Sequence, residues 1–181
     1  GKHVYCEAPM AHDIDDARAI ANAAQSAPKL NFQVGLQTRS DPQRHFLIQF
    51  LRTGVMGKNA LAKGQWHKKT SWRRVSPNTA RQKELNWRLD RKLSLGLIGE
   101  IGVHQVDALG WLMNERPVSV TGFGSIIQWN DGRNVPDTIQ TVFDYPSGAR
   151  AIYDCTLANS FDASYDMIYG SYAALMMRGA R

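Results

Sequence analysis

The order of strand and helix signals changes near residue 57, and this change most constrains how the chain can fold. Before it, apolar runs at 3–6 and 32–38 are each followed by a segment with apolar residues at helical spacing. Strand–helix–strand–helix order is typical of a parallel α/β layer, because parallel strands need a crossover connection. Two strands are too few for an independent sheet, so residues 1–57 are predicted to be part of a larger layer.

Capping residues mark the two helices of this first part. Asp13 is the predicted N-cap of the first helix, which Pro28 closes. Ser40 is the predicted N-cap of the second, with Pro42 in its first turn and Gly54 at its end.

From residue 58 onward the pattern changes to alternating runs joined by turn residues. Such a pattern favours an α+β domain with an open-faced, mainly antiparallel sheet. The connection 68–90 is polar and predicted to lack regular structure, and the turn region around Asp131, Arg133 and Asp137 is predicted to be solvated. The predicted strands are 59–66, 118–127, 138–145, 149–157, 165–169 and 175–178.

The stretch 96–113 holds the most informative spacing of titratable residues. Glu100, His104, Asp107 and Trp111 fall at i, i+4, i+7 and i+11, so they share one face of a helix. The rest of the helix is mostly apolar, which predicts a buried helix whose polar stripe faces a cleft. Histidine titrates closest to neutrality, so His104 is a candidate proton acceptor with Glu100 to orient it. A satisfied core His–Glu pair explains the same spacing equally well.

Net charge is +6 over 181 residues, and the excess lies in one segment. Residues 58–92 contain 11 Lys/Arg and two acids, interleaved with Trp66, Trp72 and Trp87. A solvated basic loop is the commonest reason for this composition. An anionic ligand suits it too, whereas nucleic-acid binding is an unfavoured alternative because no nucleic-acid motif accompanies it.

Other sequence features exclude some classes of protein. No apolar run of membrane-spanning length occurs, and Gly1-Lys-His-Val is not the start of a signal peptide, so no compartment is indicated. Cys6 and Cys155 match no metal or disulfide spacing and are predicted to be reduced and buried. The isolated histidines suggest no metal site.

Four segments resemble one known family, in the family's order. Gly1-Lys-His-Val-Tyr-Cys-Glu-Ala-Pro resembles the "GKHVxCEKP" strand end of the Gfo/Idh/MocA oxidoreductases, and Gly99–Asp107 resembles their "GxxxDxGxHxxD" helix. Gln33–Gln37 and Gly170–Leu175 are similar to the "VGxQ" strand and the "GTxGxL" hairpin.

The resemblance implies an N-terminal Rossmann domain for NAD or NADP, of which residues 1–57 are the C-terminal part. Residues 58–181 are then a C-terminally truncated substrate and oligomerisation domain, with homo-oligomers formed through the open sheet. The implied substrate is a sugar or other polyol, including cyclitols. The implied catalytic residues are His104 and Glu100, where Glu100 replaces the family's Asp.

The resemblance and the strand ends together give the remaining candidate ligand contacts. Glu7, Pro9 and Gln37 are the expected cofactor contacts. Arg39 follows the end of the strand 32–38 that would face the nucleotide. It also fits a surface position before the predicted cap Ser40. An aromatic ring can stack on the face of a sugar, and Arg can donate to its hydroxyls. The tryptophans could equally serve only to pack the connection 68–90 against the sheet. The expected substrate contacts are Arg39, Trp66, Trp72, Arg73 and Asp107, the last also suited to a structural role.

Two departures from the family pattern bear on activity. Ala8 stands where the family has a lysine that contacts substrate and cofactor, and the sequence contains no G-x-G-x-x-G. We therefore expect a fragment that does not hold NAD(P) tightly. The alternatives are an inactive ligand-binding or oligomerisation module and, less favoured, an NAD-dependent glycosidase.

Overall fold

The computed structural model describes residues 1–178 and contains two sheets. In the first, β1 (Val4–Cys6) and β2 (Phe32–Val34) are parallel and joined by α1 (Ile14–Gln25), as predicted. The apolar run 3–6 predicts a buried strand, but this prediction is wrong, since Val4 and Tyr5 of β1 are 49% and 63% exposed. Among the described residues, one strand and one helix are too little to cover it.

Helix capping in this part follows the local chemistry closely. The Asp13 carboxylate accepts the N–H of Asp16 at 2.9 Å and caps α1 as predicted. The cap of α2 (Pro42–Arg52) is Asp41 rather than Ser40, and it accepts the N–H of Gln43 at 2.9 Å. Proline at the first helical position restricts its predecessor to extended backbone, so the cap lies at that predecessor. Ser40 instead ends a 3₁₀ turn, Gln37–Ser40.

The second sheet has six strands in the order β4-β5-β6-β3-β7-β8. All neighbours are antiparallel except β3 and β6, so the predicted open, mainly antiparallel sheet is confirmed. Short turns join β5 to β6 and β7 to β8, in the gaps between the predicted strands 138–145 and 149–157 and between 165–169 and 175–178. The strand bounds are β3 (Asn59–His67), β4 (Ser119–Ser125), β5 (Thr138–Asp144), β6 (Arg150–Thr156), β7 (Ser164–Gly170) and β8 (Ala174–Arg178).

The connection after β3 is more ordered than its sequence predicts. It contains α3 (Thr79–Leu85) and a 3₁₀ turn, Trp87–Leu89, so the prediction of no regular structure is wrong. The side chain of Asn86 holds it together: the amide donates to the carbonyl oxygens of Arg74 and Gln82, and its oxygen accepts the Arg74 N–H. These hydrogen bonds hold the short helix in place, where a longer helix would instead be held by packing of an apolar face.

The predicted buried helix 96–113 is present, but its first part is a π-turn. The π-turn (Ile98–Gly102) runs into α4 (Val103–Met113), which packs on β3. Leu109 and Leu112 of α4 are at most 2% exposed, and Tyr153 of β6 is fully buried beside them. Burying an aliphatic or aromatic side chain of this size stabilises a fold by about 1.5–3 kcal/mol.

The loop between β4 and β5 is largely exposed, with Ile127 at 68%, but two of its charged residues are buried. Asp137 is 0% exposed and Arg133 is 6% exposed, contrary to prediction. Each acts as a hub: Asp137 accepts three backbone N–H groups, and Arg133 donates to Asp131 and to the Ser71 carbonyl oxygen. Charge in the sequence indicates exposure only when no such partners exist.

The two cysteines differ in environment. Cys155 is buried, and burial raises the pKa of its thiol to about 12, so it is inert at neutral pH. Cys6 is only partly buried, so the prediction of two buried thiols holds for Cys155 alone, although both are free. Within residues 1–178, no helix is long and apolar enough to cross a membrane.

Candidate active-site cleft

His104 lies in the first turn of α4 and is partly buried. Burial lowers the pKa of its imidazole, and the nearby carboxylates of Asp107 and Glu7 oppose the shift without cancelling it. Its Nδ1 is buried and has no hydrogen-bond partner among residues 1–178. The ring is therefore neutral at pH 7 and able to accept a proton.

Glu100 lies in the π-turn, and its partners differ from those predicted. Its Oε1 accepts the Ser94 hydroxyl at 2.9 Å, and its Oε2 lies 3.3 Å from the Arg88 Nε. The predicted pairing with His104 is not among the hydrogen bonds of the described residues. A π-turn has more residues per turn than an α-helix, so the i, i+4 relation assumed from the sequence does not hold across it.

Arg88 is a site residue that sequence analysis missed. Its guanidinium carbon lies 5.9 Å and 5.2 Å from the ring centroids of Trp72 and Trp87, while Nε faces Glu100. Cation–π contacts of this kind hold an arginine in a fixed orientation. The signal was the interleaving of tryptophan and arginine over 66–88, which composition alone could not separate from a solvated loop.

Glu7 is placed at the end of β1 by the glycine opposite it. A Cβ on Gly35 would lie 2.5 Å from the Glu7 Oε2 and 2.7 Å from the Tyr5 hydroxyl. Desolvation and the neighbouring Glu7 raise the pKa of the Tyr5 hydroxyl. The glycine of the "VGxQ" segment thus makes room for this carboxylate.

These groups meet at a cleft of about 270 Å³ between the strand end after β1 and the turn before α4. The cleft joins Glu7, Ala8 and Pro9 on one side to Arg88 and Glu100 on the other. His104 is not part of its lining, but it lies near enough to Glu7 for that carboxylate to influence its pKa. The other lining residues are Ala11, His12, Trp87, Leu93, Ser94 and Leu95.

Arg39 and Asp107, both expected to contact substrate, contact each other. The Arg39 Nε lies 2.9 Å from the Asp107 Oδ2, and its Nη2 lies 2.7 Å from the Oδ1. This two-point ion pair joins the segment after β2 to α4. It supports a structural role for Asp107, which the sequence left open.

Trp66 and Arg73 are not brought to the cleft. Trp66 packs against the core, and Arg73 donates to the Asp131 carboxylate at 2.9 Å and to its carbonyl oxygen at 2.6 Å. Trp72 also packs on the core, though its ring meets Arg88. Their contact with substrate remains a prediction.

The chemistry that the cleft offers is proton transfer and binding of hydroxyl groups. It combines a neutral imidazole nearby, two carboxylates and an arginine with several N–H donors. Among residues 1–178, no group of three or more His, Cys, Asp and Glu side chains could hold a metal ion.

Comparison with protein families gives one match over most of the chain. The model "GFO/IDH/MocA C-terminal domain" matches residues 47–175, which include the whole sheet from β3 to β7 and the π-turn with α4.

Two curated relatives show the extent of the similarity. The 1,5-anhydro-D-fructose reductase of Ensifer adhaerens is 27% identical over 98% of this chain and 50% of its own length. The inositol 2-dehydrogenase of Corynebacterium glutamicum is 28% identical over 66% of this chain and 31% of its own. The chain thus matches half or less of these relatives' length.

A solved structure shows the same fold. GenD2 from gentamicin A biosynthesis, crystallised in complex with NAD, superposes with a TM-score of 0.79 at 16% identity. The superposition covers 97% of this chain and 47% of GenD2.

Proposed function

This chain belongs to the Gfo/Idh/MocA oxidoreductase family, and from that premise we propose that it carries the substrate-binding and proton-transfer part of an NAD(P)-dependent dehydrogenase of sugars or cyclitols. Residues 1–57 are assigned to the end of the nucleotide-binding domain and residues 58–178 to the substrate domain. Relatives named inositol 2-dehydrogenase and 1,5-anhydro-D-fructose reductase support this substrate class.

The observation that carries the proposal is the state of His104. The family motif places a histidine at this position, and partial burial lowers its pKa here, which keeps the imidazole neutral. A neutral imidazole accepts the proton of a substrate hydroxyl when the carbon that bears it is oxidised. In the reverse direction the imidazolium returns that proton.

Glu100 and Arg88 have a supporting role in this proposal. The side chain of Glu100 is only 7% exposed, and Ser94 and Arg88 compensate its charge. The pair therefore offers hydrogen-bond donors from Arg88 and acceptors from Glu100 to the hydroxyls of a polyol. Trp87, 39% exposed at the same cleft, offers an aromatic face to the ring.

The residues present fit the nicotinamide end of a dinucleotide and not its phosphates. Glu7, Pro9 and Gln37 follow the carboxyl ends of β1 and β2, where dinucleotides bind in sheets of this type, and the buried Thr38 hydroxyl has no partner among residues 1–178. The glycine-rich phosphate turn is not in this sequence. A bound nicotinamide would supply the hydride acceptor, while this chain's residues orient the substrate and move its proton.

We also propose that the second sheet forms a homo-oligomer through the face opposite α4. That face includes Phe123 and Met176, which are 76% and 43% exposed. Large exposed apolar residues on one sheet face are typical of an association surface.

Calorimetric titration tests the cofactor part of the proposal. We expect NAD and NADP to bind the 181-residue chain weakly and to bind tightly once a glycine-rich nucleotide-binding domain precedes Gly1. If neither dinucleotide binds in the presence of that domain, the proposed function is wrong. A His104→Ala variant is the matched control, because it should bind the dinucleotide and still fail to turn over myo-inositol.

A further inference from the structure

Arg39 has more contacts than a surface cation needs. Besides its two-point pair with Asp107, its guanidinium carbon lies 5.3 Å from the ring centroid of Trp111. Its carbonyl oxygen lies 2.6 Å from the Nε2 of His45, whose ring meets Trp111 edge-on at 5.0 Å. Arg39 is thus fixed by α2 and by α4, and it fixes the Asp107 carboxylate in turn.

Asp107 lies three residues after His104 on α4, so the two side chains are neighbours on one helix face. The carboxylate is 15% exposed, which leaves little water to screen its charge. An unpaired carboxylate at this position would favour the imidazolium form of His104. Arg39 supplies the opposite charge and also fixes where the carboxylate points.

We propose that Arg39 is a positioning residue of the His104 site: by holding Asp107 in a two-point ion pair, it withdraws that carboxylate from the imidazole and keeps His104 a neutral proton acceptor. The assignment rests on the proposed function only in naming His104 as the proton acceptor. The electrostatic link between the three residues is a property of the folded chain and does not require turnover.

The charged groups near His104 belong to α4, to the segment after β1 and to the turn before α4. Asp107 on α4 and Glu7 at the end of β1 are the carboxylates whose charge acts on its pKa. Glu100, on the preceding turn, is paired with Ser94 and Arg88. Of the two carboxylates that influence His104, Asp107 is the one held by an arginine.

The test is a proton NMR titration of the histidine rings, with the His104 resonance identified by its loss in His104→Gln. We expect Arg39→Gln to move the titration midpoint of His104 upward and Asp107→Asn to move it downward. In the double variant, Arg39→Gln should add little to the midpoint of Asp107→Asn, because the carboxylate on which it acts is gone. Arg39→Lys keeps the positive charge but cannot make a two-point contact with the carboxylate. Its His104 midpoint should therefore lie between those of wild type and Arg39→Gln.

A matched control removes an arginine from an exposed pair. Arg18→Gln breaks the contact of Arg18 with Asp15 on α1 and should leave the His104 midpoint unchanged. A midpoint that stays constant or falls in Arg39→Gln would overturn the proposal. If Arg39→Gln does not fold, Arg39→Lys decides, since a midpoint that stays constant or falls in that variant also overturns the proposal. Loss of turnover in His104→Ala tests the proposed function separately.

Discussion

The Asp137 carboxylate is a buried charge that the chain uses to close a loop. It accepts the N–H groups of Ile127, Gln128 and Trp129 at 2.8–2.9 Å. Burial acts to raise its pKa, but these hydrogen bonds outweigh burial and hold the pKa below the usual range. A single carboxylate therefore accepts hydrogen bonds from three consecutive backbone donors of this loop.

Asp137→Ala should lower the free energy of unfolding by about 3 kcal/mol, because three backbone N–H groups lose a buried, charged acceptor. Urea denaturation monitored by circular dichroism measures this. The control Glu84→Ala removes a carboxylate from an exposed pair and should change stability by less than about 0.5 kcal/mol. An equal effect of both substitutions would contradict the role given to Asp137.

The lowered pKa of Asp137 predicts how the stability of the fold depends on pH. A group whose pKa is lowered on folding stabilises the fold above its unfolded pKa and loses that contribution as pH falls through the folded value. Asp131, paired with Arg133 and Arg73, behaves in the same way. Stability should therefore fall below about pH 4, and less steeply in Asp137→Asn. A pH-independent stability would contradict these environments.

At Ala8, the methyl group stands where the family has an ammonium. Ala8→Lys should raise turnover of myo-inositol by about tenfold or more in a protein that has the dinucleotide domain, because the ammonium would enter a cleft lined by Glu7 and Glu100. The control Ala11→Lys places the same charge elsewhere in that cleft and should not raise turnover. Equal rates in all three proteins would show that the cleft does not need this cation.

Two glycines of the helical segment 98–113 differ in their packing: Gly102 ends the π-turn and Gly110 lies inside α4. A Cβ on Gly102 would lie 2.9 Å from the Ile98 Cδ1 and 3.1 Å from the Tyr153 Cε1, whereas one on Gly110 would meet nothing within 4 Å. Both glycines lie in helical backbone, so they differ in the packing around them and not in helix propensity.

Gly102→Ala should destabilise the protein by about 1–3 kcal/mol through overpacking. Gly110→Ala should stabilise it by about 0.5–1 kcal/mol, since alanine is the better helix former. Thermal unfolding of the two variants separates the effects. The same sign for both would contradict the packing described here.

Sequence patterns predicted the elements whose signals are local. Hairpin turns, alternating strands and the Asp13 cap follow from short-range chemistry, and all were predicted correctly. The π-turn and the partners of Glu100 were not predictable, because they depend on Ser94 and Arg88, which approach through tertiary packing. The same holds for α3, which side-chain hydrogen bonds of Asn86 stabilise.

Across the whole molecule, residues 1–57 contact residues 58–178 through ion pairs as well as through apolar side chains. Arg44 of α2 lies 2.6 Å from Asp166 of β7, whose carboxylate is buried, and Arg39 pairs with Asp107. Burial raises the pKa of Asp166, and Arg44 opposes the shift. The first part of the chain is therefore fixed on residues 58–178 at two charged points.

The open face of the second sheet predicts self-association. Phe123→Glu should shift the protein toward monomer, because a charge would be buried in the proposed contact. Analytical ultracentrifugation measures this at several concentrations. The control Val75→Glu changes a residue that is 86% exposed outside the sheet and should leave the oligomer intact. A monomeric wild type would contradict the proposed surface.

The role of His104 as proton acceptor is tested most directly by the pH dependence of myo-inositol oxidation in wild type and His104→Ala. Formation of reduced NAD or NADP monitors the reaction. The protein should contain the preceding dinucleotide domain. We expect a rate that rises with pH as His104 loses its proton, with a midpoint below the ordinary histidine pKa because burial lowers it. We expect no measurable rate in His104→Ala. A His104→Ala variant with the rate and pH profile of wild type would show that His104 is not the proton acceptor.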